Sequence, residues 1–186
     1  MVNRCSINSE LPKRMHFAAI VRAYTARKIA NVELRSFENE KSFADALNRA
    51  GMAMRPDGKR YDHQRRIPHA VLCAATSSLR LAALERATDF DSLFAIVSNA
   101  IGSIHGIGEL TIYDTALRIG AKLGLLPTRV YLHSGTRKGA RALNLNWHAP
   151  YLEVGEFPAE LQKLAAHEIE DCLCIFKDRF RNVESR

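Results

Sequence analysis

Two short stretches of the chain carry residue types and spacings suited to holding an anion. The first is Gly106-Ile107-Gly108, where two glycines bracket one apolar residue between two helical hydrophobic patterns. Glycine reaches backbone angles that other residues avoid, so this pattern favours a tight reversal that leaves the next helix's N–H groups uncovered. Such uncovered groups attract anions. The second stretch places one hydroxyl and three cations near another predicted helix start: Thr136, Arg137, Lys138 and Arg141.

The positive charge of the chain is concentrated near these two stretches. The 186 residues carry a formal net charge of +7, yet no Asp or Glu occurs between Thr115 and Leu152. The cationic side chains of that segment are Arg118, Lys122, Arg129, Arg137, Lys138 and Arg141. Cations at a helix start oppose the helix dipole, and their placement makes sense if an anion docks there. The excess predicts an anionic partner, with a solvated basic face that binds nothing as the alternative.

Few nearby side chains are suited to acid–base chemistry. The candidate catalytic residues are Asp114, Tyr131 and His133. Asp114 stands one helical turn before Arg118, so an ion pair between the two is the simpler expectation. His69 and Cys73 are also one turn apart, but two ligands do not make a zinc site. We therefore expect no metal and no cofactor.

Hydrophobic periodicity predicts an all-α fold, a compact helical bundle organised around a central helical hairpin at residues 92–124. Its second arm, Glu109–Leu123, is apolar over most of its circumference, which is typical of a helix in the middle of a bundle. The remaining polar strip consists of Thr111, Asp114, Thr115, Arg118 and Lys122. Other helices are predicted at 42–50, at 68–87, in a short stretch from 127 onward, and from 158 to about 181. No β-strand is predicted.

The length and composition favour one domain over residues 1–186, with a frayed lead-in at 1–11. A basic loop is expected at 52–67, where cations surround Tyr61 and His63. These residues could meet a phosphate backbone or a base, or the loop could simply be polar and exposed. A second, basic hairpin is expected at 127–145. No apolar run reaches the ~20 residues that span a membrane, and the polar N-terminus lacks a signal peptide's apolar middle, so a cytoplasmic protein is expected.

The stretch Ile104-His105-Gly106-Ile107-Gly108, followed by an apolar helix with Ala116 on it, resembles the helix-hairpin-helix motif. That motif occurs in DNA glycosylases, DNA ligases, polymerases and nuclease subunits. The resemblance implies that Gly106, Ile107 and Gly108 form a loop whose backbone amides hold a DNA phosphate, with Ile107 as the inward anchor. It covers about a sixth of the chain.

The glycosylase superfamily is the nearest comparison, and its catalytic residues are missing here. The position of the lysine that some members use is Leu110 in this chain. The region corresponding to their essential aspartate, residues 128–133, contains no carboxylate. The resemblance therefore implies a DNA-binding hairpin without base excision.

Three functions are consistent with the sequence. The first is binding of nucleic acid, most directly DNA, through phosphate contacts with little sequence selectivity. The second is a glycosylase-like enzyme with non-standard catalytic residues, or a protein that binds a nucleotide or another small phosphorylated molecule. The third is a helical interaction module whose basic face meets an acidic protein or another copy of the chain.

Overall fold

The computed structural model describes residues 16–26 and 29–180, apart from the side chains of residues 29–31. This part of the chain contains eight α-helices and two short strands. The helices are α1 Phe17–Thr25, α2 Ile29–Glu38, α3 Phe43–Gly51, α4 His69–Leu81, α5 Phe90–Ile101, α6 Glu109–Leu123, α7 Ser134–Ala142 and α8 Ala166–Ile175. The strands are β1 Arg129–Tyr131 and β2 Tyr151–Glu153. Single 3-10 turns occur at Leu84–Arg86, Val154–Glu156 and Leu161–Lys163. The helical character predicted from periodicity is confirmed.

Contacts divide the chain into two compact units. One, here called the middle unit, spans Asn31–Pro127. The other, here called the terminal unit, combines the described residues up to 30 with those from Thr128 onward. The lead-in expected at residues 1–11 lies outside the described residues. Along the described ranges, no helix combines the length and the apolarity needed to cross a membrane.

The helices of the middle unit begin and end at signals that can be read locally. Ser42 caps α3 by accepting a hydrogen bond from the Asp45 N–H at 3.1 Å. Asp89 caps α5 in the same way, accepting from the Ser92 N–H at 2.7 Å. Both side chains satisfy backbone donors that the first helical turn leaves without partners. Gly124 ends α6 with a φ of 72°, a left-handed conformation that glycine adopts without steric cost.

The core of the middle unit is built on α6. This helix packs against α5 and α3, while α4 packs against α3 and α5. Its buried apolar residues include Tyr113, Ala116 and Ile119, and α5 buries Leu93 and Val97 against them. The predicted bounds of α6 are confirmed.

The terminal unit contains the sheet that the sequence reading missed. Strands β1 and β2 pair antiparallel, with Arg129 opposite Glu153 and Tyr131 opposite Tyr151. Helix α8 packs against β1 and α7. The short helix predicted from residue 127 is therefore wrong, as is the expectation of no strand. Val130 and Tyr131 belong to strand-favouring residue types, and pairing with β2 satisfies their backbone groups.

Two helices are shorter than predicted because the chain turns to bury a leucine. The helix predicted over 68–87 ends at Leu81, where Ala82 adopts an extended ψ of 145°. The following 3-10 turn buries Leu84. The helix predicted from 158 starts only at Ala166, because a 3-10 turn buries Leu161 first. It ends at Ile175.

Candidate functional site

The glycine stretch connects α5 to the start of α6. Gly106 has a φ of 93°, a left-handed conformation that strains a residue with a Cβ. Gly108 precedes the first turn of α6 without any side-chain hydrogen bond to cap it. A Cβ placed on Gly108 would meet no atom within 4 Å. Ile107 is partly buried. The backbone at the α6 start therefore borders open space, as an anion site requires.

The polar strip of α6 lies inside the middle unit. Thr111, Asp114, Thr115 and Arg118 are all buried, although the apolar pattern left them as the helix's polar face. Lys122 directs its Nζ to the carbonyl oxygen of Glu40 at 2.6 Å. Arg118 and Lys122 have partners on other elements of the same unit.

Arg118 is the centre of this buried network. It is 2% exposed. Its Nε donates to Glu33 Oε1 at 3.0 Å, its Nη1 to Gln64 Oε1 at 2.9 Å and its Nη2 to Asp114 Oδ2 at 3.2 Å. The guanidinium carbon also lies 3.8 Å from the centre of the Tyr61 ring. Three hydrogen bonds and a cation–π contact therefore engage Arg118 within the unit.

The electrostatics of the network keep Arg118 charged. Burial alone would lower the pKa of Arg118, but the carboxylates of Asp114 and Glu33 outweigh it and raise the pKa above its ordinary value. Burial, followed by the Glu33 carboxylate, raises the pKa of Tyr61 to about 12. The ion pair expected between Asp114 and Arg118 is confirmed. The carboxylate of Asp114 is therefore engaged in an ion pair inside the unit.

The basic loop at 52–67 contributes to the same interior. Tyr61 and Gln64 are 8% and 1% exposed, so Tyr61 is buried rather than placed to stack on a base or exposed in a polar loop. Arg60 donates from Nη1 to the Ile67 carbonyl oxygen at 2.6 Å. His63, Arg65 and Arg66 remain exposed. The Tyr61 side chain of this loop points inward because its ring packs against the guanidinium of Arg118 on α6.

In the terminal unit, α7 starts at Ser134, and His133 occupies the cap position. Thr136, which the sequence placed near this helix start, is the third residue of α7. The Thr136 hydroxyl accepts from the His133 N–H at 2.7 Å and donates to the His133 carbonyl at 3.0 Å. Thr136 is 0% exposed, so its side chain offers a ligand no surface.

The cations of α7 meet aromatic residues on the segment before β2. Arg137 donates from Nη1 to the carbonyl oxygens of Trp147 and Ala149 at 3.0 and 2.9 Å. The Arg141 guanidinium lies 5.3 Å from the Trp147 ring centre, and Arg129 lies 4.0 Å from that of Tyr151. Lys138 is exposed. We call this set the basic–aromatic face: Arg129, Arg137, Lys138, Arg141, Trp147, His148 and Tyr151.

Several members of the basic–aromatic face touch one another. Trp147 and His148 have ring centres 3.5 Å apart, and Arg137 fixes the backbone that carries them. Arg137 and Arg141 are one turn apart on α7, so their side chains share one side of the helix. Arginine stacked on a ring keeps hydrogen-bond donors at the edge of its plane. Such an arrangement can offer donors to phosphates beside flat apolar rings.

Helix α8 carries buried polar residues that sequence reasoning missed. These residues are His167, Glu170 and Asp171. Asp171 Oδ2 accepts from the Tyr24 hydroxyl at 3.0 Å. Burial, followed by the charge of Asp171, raises the pKa of Tyr24 above its ordinary range. The signal was the spacing of these three residues with Cys174, which places all four along one side of a helix.

Two candidate catalytic residues lie in the terminal unit. His133 is 2% exposed, and its Nε2 lies 2.5 Å from Glu170 Oε1. Tyr131 is 8% exposed and packs with its ring centre 6.1 Å from that of Tyr151. The third candidate, Asp114, belongs to the middle unit. His133 thus contacts a titratable group, Glu170, that sequence reasoning did not pair with it.

The described ranges contain no group of three or more His, Cys, Asp and Glu side chains placed to hold a metal ion. Comparison with known proteins adds no homologue to this description. Neither a protein-family model, nor a curated protein, nor a solved structure matches the chain. The functional argument therefore rests on the geometry of the chain itself.

Proposed function

We propose that the protein binds nucleic acid through phosphate contacts with little sequence selectivity, and that its main ligand is DNA. The observation that supports this most directly is the basic–aromatic face of the terminal unit, where Arg129 and Arg141 stack on Tyr151 and Trp147. Cations track a phosphate backbone, and flat rings stack on bases of any type. Lys138 adds an exposed charge beside Arg137.

In the middle unit, we assign α5, residues 102–108 and α6 to a helix-hairpin-helix around which that unit is organised. The left-handed Gly106 and the open, uncapped start of α6 at Gly108 support this assignment. Glu109 at the first helical position would repel a phosphate there. The cations of the terminal unit therefore supply most of the attraction in this proposal, and the hairpin a smaller part.

The experiment is binding to labelled single-stranded DNA, duplex DNA and RNA of one sequence, each across a salt series. Lys138→Ala and Arg141→Ala should each weaken binding and flatten the slope of log K against log salt by about 0.7–0.9, because each removes one phosphate contact. Lys163→Ala is the matched control, since Lys163 is exposed on a separate 3-10 turn of the same unit.

A second variant tests the hairpin separately. Gly108→Ala adds a methyl group to an extended residue with open space around it, so folding should be little changed. The methyl group would weaken binding several-fold if the α6 start contacts phosphate. Unchanged binding by Gly108→Ala would limit contact to the terminal unit. Absence of binding to all three nucleic acids at low salt would overturn the proposed function.

A further inference from the structure

The early end of α4 leaves a cavity in the middle unit. Ala82 adopts an extended ψ of 145°, so the chain leaves the helix there, and the following 3-10 turn buries Leu84. Between this turn and the first half of α3 lies a cavity of about 410 Å³. Small-molecule sites in proteins have volumes of about 300–1,000 Å³. The cavity is therefore large enough for a small organic ligand.

Most of the cavity wall is apolar. Its apolar residues are Phe43, Ala44, Leu47, Ala82, Ala83 and Leu84. Half of them are alanines, and their short side chains leave the volume unfilled. Leu47 and Leu84 are buried, whereas Phe43 is half-buried. An alkyl or aryl group that entered the cavity would remove its own apolar surface and that of the wall from water, which favours binding.

The charged residues of the same wall are Arg80, Arg86 and Glu85. Nε and Nη2 of Arg80 donate to Asn48 Oδ1 on α3 at 3.1 and 2.7 Å, and these bonds hold the guanidinium beside the cavity. Arg86 is exposed, and within the described ranges no group forms a hydrogen bond or an ion pair with its side chain. Because Glu85 offsets one of the two cations, the wall has an excess of one positive charge. A ligand with a single negative charge is complementary to it.

We propose that this cavity binds a small amphipathic monocarboxylate. The apolar body of the ligand lies against Phe43, Leu47 and Leu84, and its carboxylate meets Arg80 and Arg86, whose planar guanidinium groups match carboxylate geometry. Nine of the described residues line the cavity, fewer than the roughly 20–30 that each side of a stable protein interface uses, so a small molecule is the better occupant. All nine belong to the middle unit, so the proposal does not depend on the nucleic-acid surface of the terminal unit.

The test is isothermal titration calorimetry of the full chain with three probes at pH 7. Octanoate should bind with a Kd of about 1 mM or below. Octylammonium has the same alkyl chain and the opposite charge, so it should bind at least about fivefold more weakly. Butyrate has the same head group and a shorter chain, and it should bind at least about tenfold more weakly because it buries fewer methylene groups.

Two variants assign the binding to this cavity. Ala44→Phe fills it from an exposed position of α3 and should weaken octanoate binding at least about tenfold, whereas Ala74→Phe, at an exposed position of α4 outside the cavity, should leave it unchanged. Arg86→Gln should weaken it about two- to fivefold, and Arg66→Gln, an exposed arginine elsewhere in the unit, should not.

If Ala44→Phe does not fold, Arg86→Gln and the three probes still decide. Three results would overturn the proposal: no octanoate binding, octylammonium binding as tightly as octanoate, or octanoate affinity unchanged in a folded Ala44→Phe protein. Sedimentation of the same samples tests a second copy as the occupant. A dimer that Ala44→Phe abolishes and octanoate does not dissociate would also contradict the proposal.

Discussion

Replacing Arg118 by methionine should strongly destabilise the middle unit. The substitution keeps the length of the buried stem but removes the guanidinium that bonds Glu33, Gln64 and Asp114. Asp114 and Glu33, whose side chains are only 8% and 16% exposed, would then lose their cation. Removing one partner from a buried ion pair typically lowers the free energy of unfolding by about 3–5 kcal/mol. For a chain of this length that corresponds to a fall in Tm of about 6–20 °C.

A double-mutant cycle with Asp114→Asn assigns part of this loss to a specific pair. Asp114→Asn leaves an amide of nearly the same shape next to Arg118. If the two side chains interact as the 3.2 Å contact indicates, Arg118→Met with Asp114→Asn should lose less stability than the two single variants added together. The expected coupling is about 0.5–3 kcal/mol, as for other residues in one hydrogen-bonded network.

Urea denaturation followed by circular dichroism measures each free energy of unfolding. Lys138→Met is the matched control, because it removes a cation from an exposed position and should change stability by less than about 0.5 kcal/mol. A loss below about 1 kcal/mol for Arg118→Met, or one no larger than that of Lys138→Met, would refute the view that this arginine is a required interior charge.

The other predictions concern pH and close packing. The pKa of Tyr61 is raised to about 12, so its stabilisation is complete below pH 10 and falls as pH rises. Between pH 9 and pH 11 the wild type should lose about 1.4 kcal/mol more than Tyr61→Phe, measured by urea denaturation at both values; equal losses would contradict the assignment. Gly139→Ala should cost about 1–3 kcal/mol, because its Cβ would lie 2.4 Å from the Leu173 carbonyl oxygen. Gly155→Ala, with nothing within 4 Å, should be nearly neutral in the same assay.

The sequence predicted the helices of the middle unit well because their signals are local. The caps at Ser42 and Asp89 and the stop at Gly124 each act within a few residues of the helix end. The apolar period of α6 also repeats over its whole length. These features could be recognised without knowing what the helix packs against.

The parts that the sequence did not predict depend on partners far along the chain. Arg118 is paired with Glu33, which is 85 positions away, and no pattern within α6 identifies such a partner. Strand β1 has three residues, too few for an alternating pattern, and its pairing with β2 is the evidence for it. His133 was a candidate, but Glu170 stands 37 positions away. Periodicity therefore places elements better than it places polar side chains.

The positions of the six cations between Thr115 and Leu152 change the argument for an anionic partner. Six positive charges between Thr115 and Leu152 suggested one basic footprint, but they divide between two roles. Arg118 is neutralised by carboxylates inside the middle unit, and Lys122 binds backbone carbonyl oxygens there. A buried arginine that carboxylates already neutralise cannot also neutralise a phosphate, so Arg118 adds nothing to the release of counterions from a nucleic acid. Within this segment the attraction would come from the cations of the terminal unit, of which Arg137 is itself bound to two backbone carbonyl oxygens while Lys138 and Arg141 are exposed.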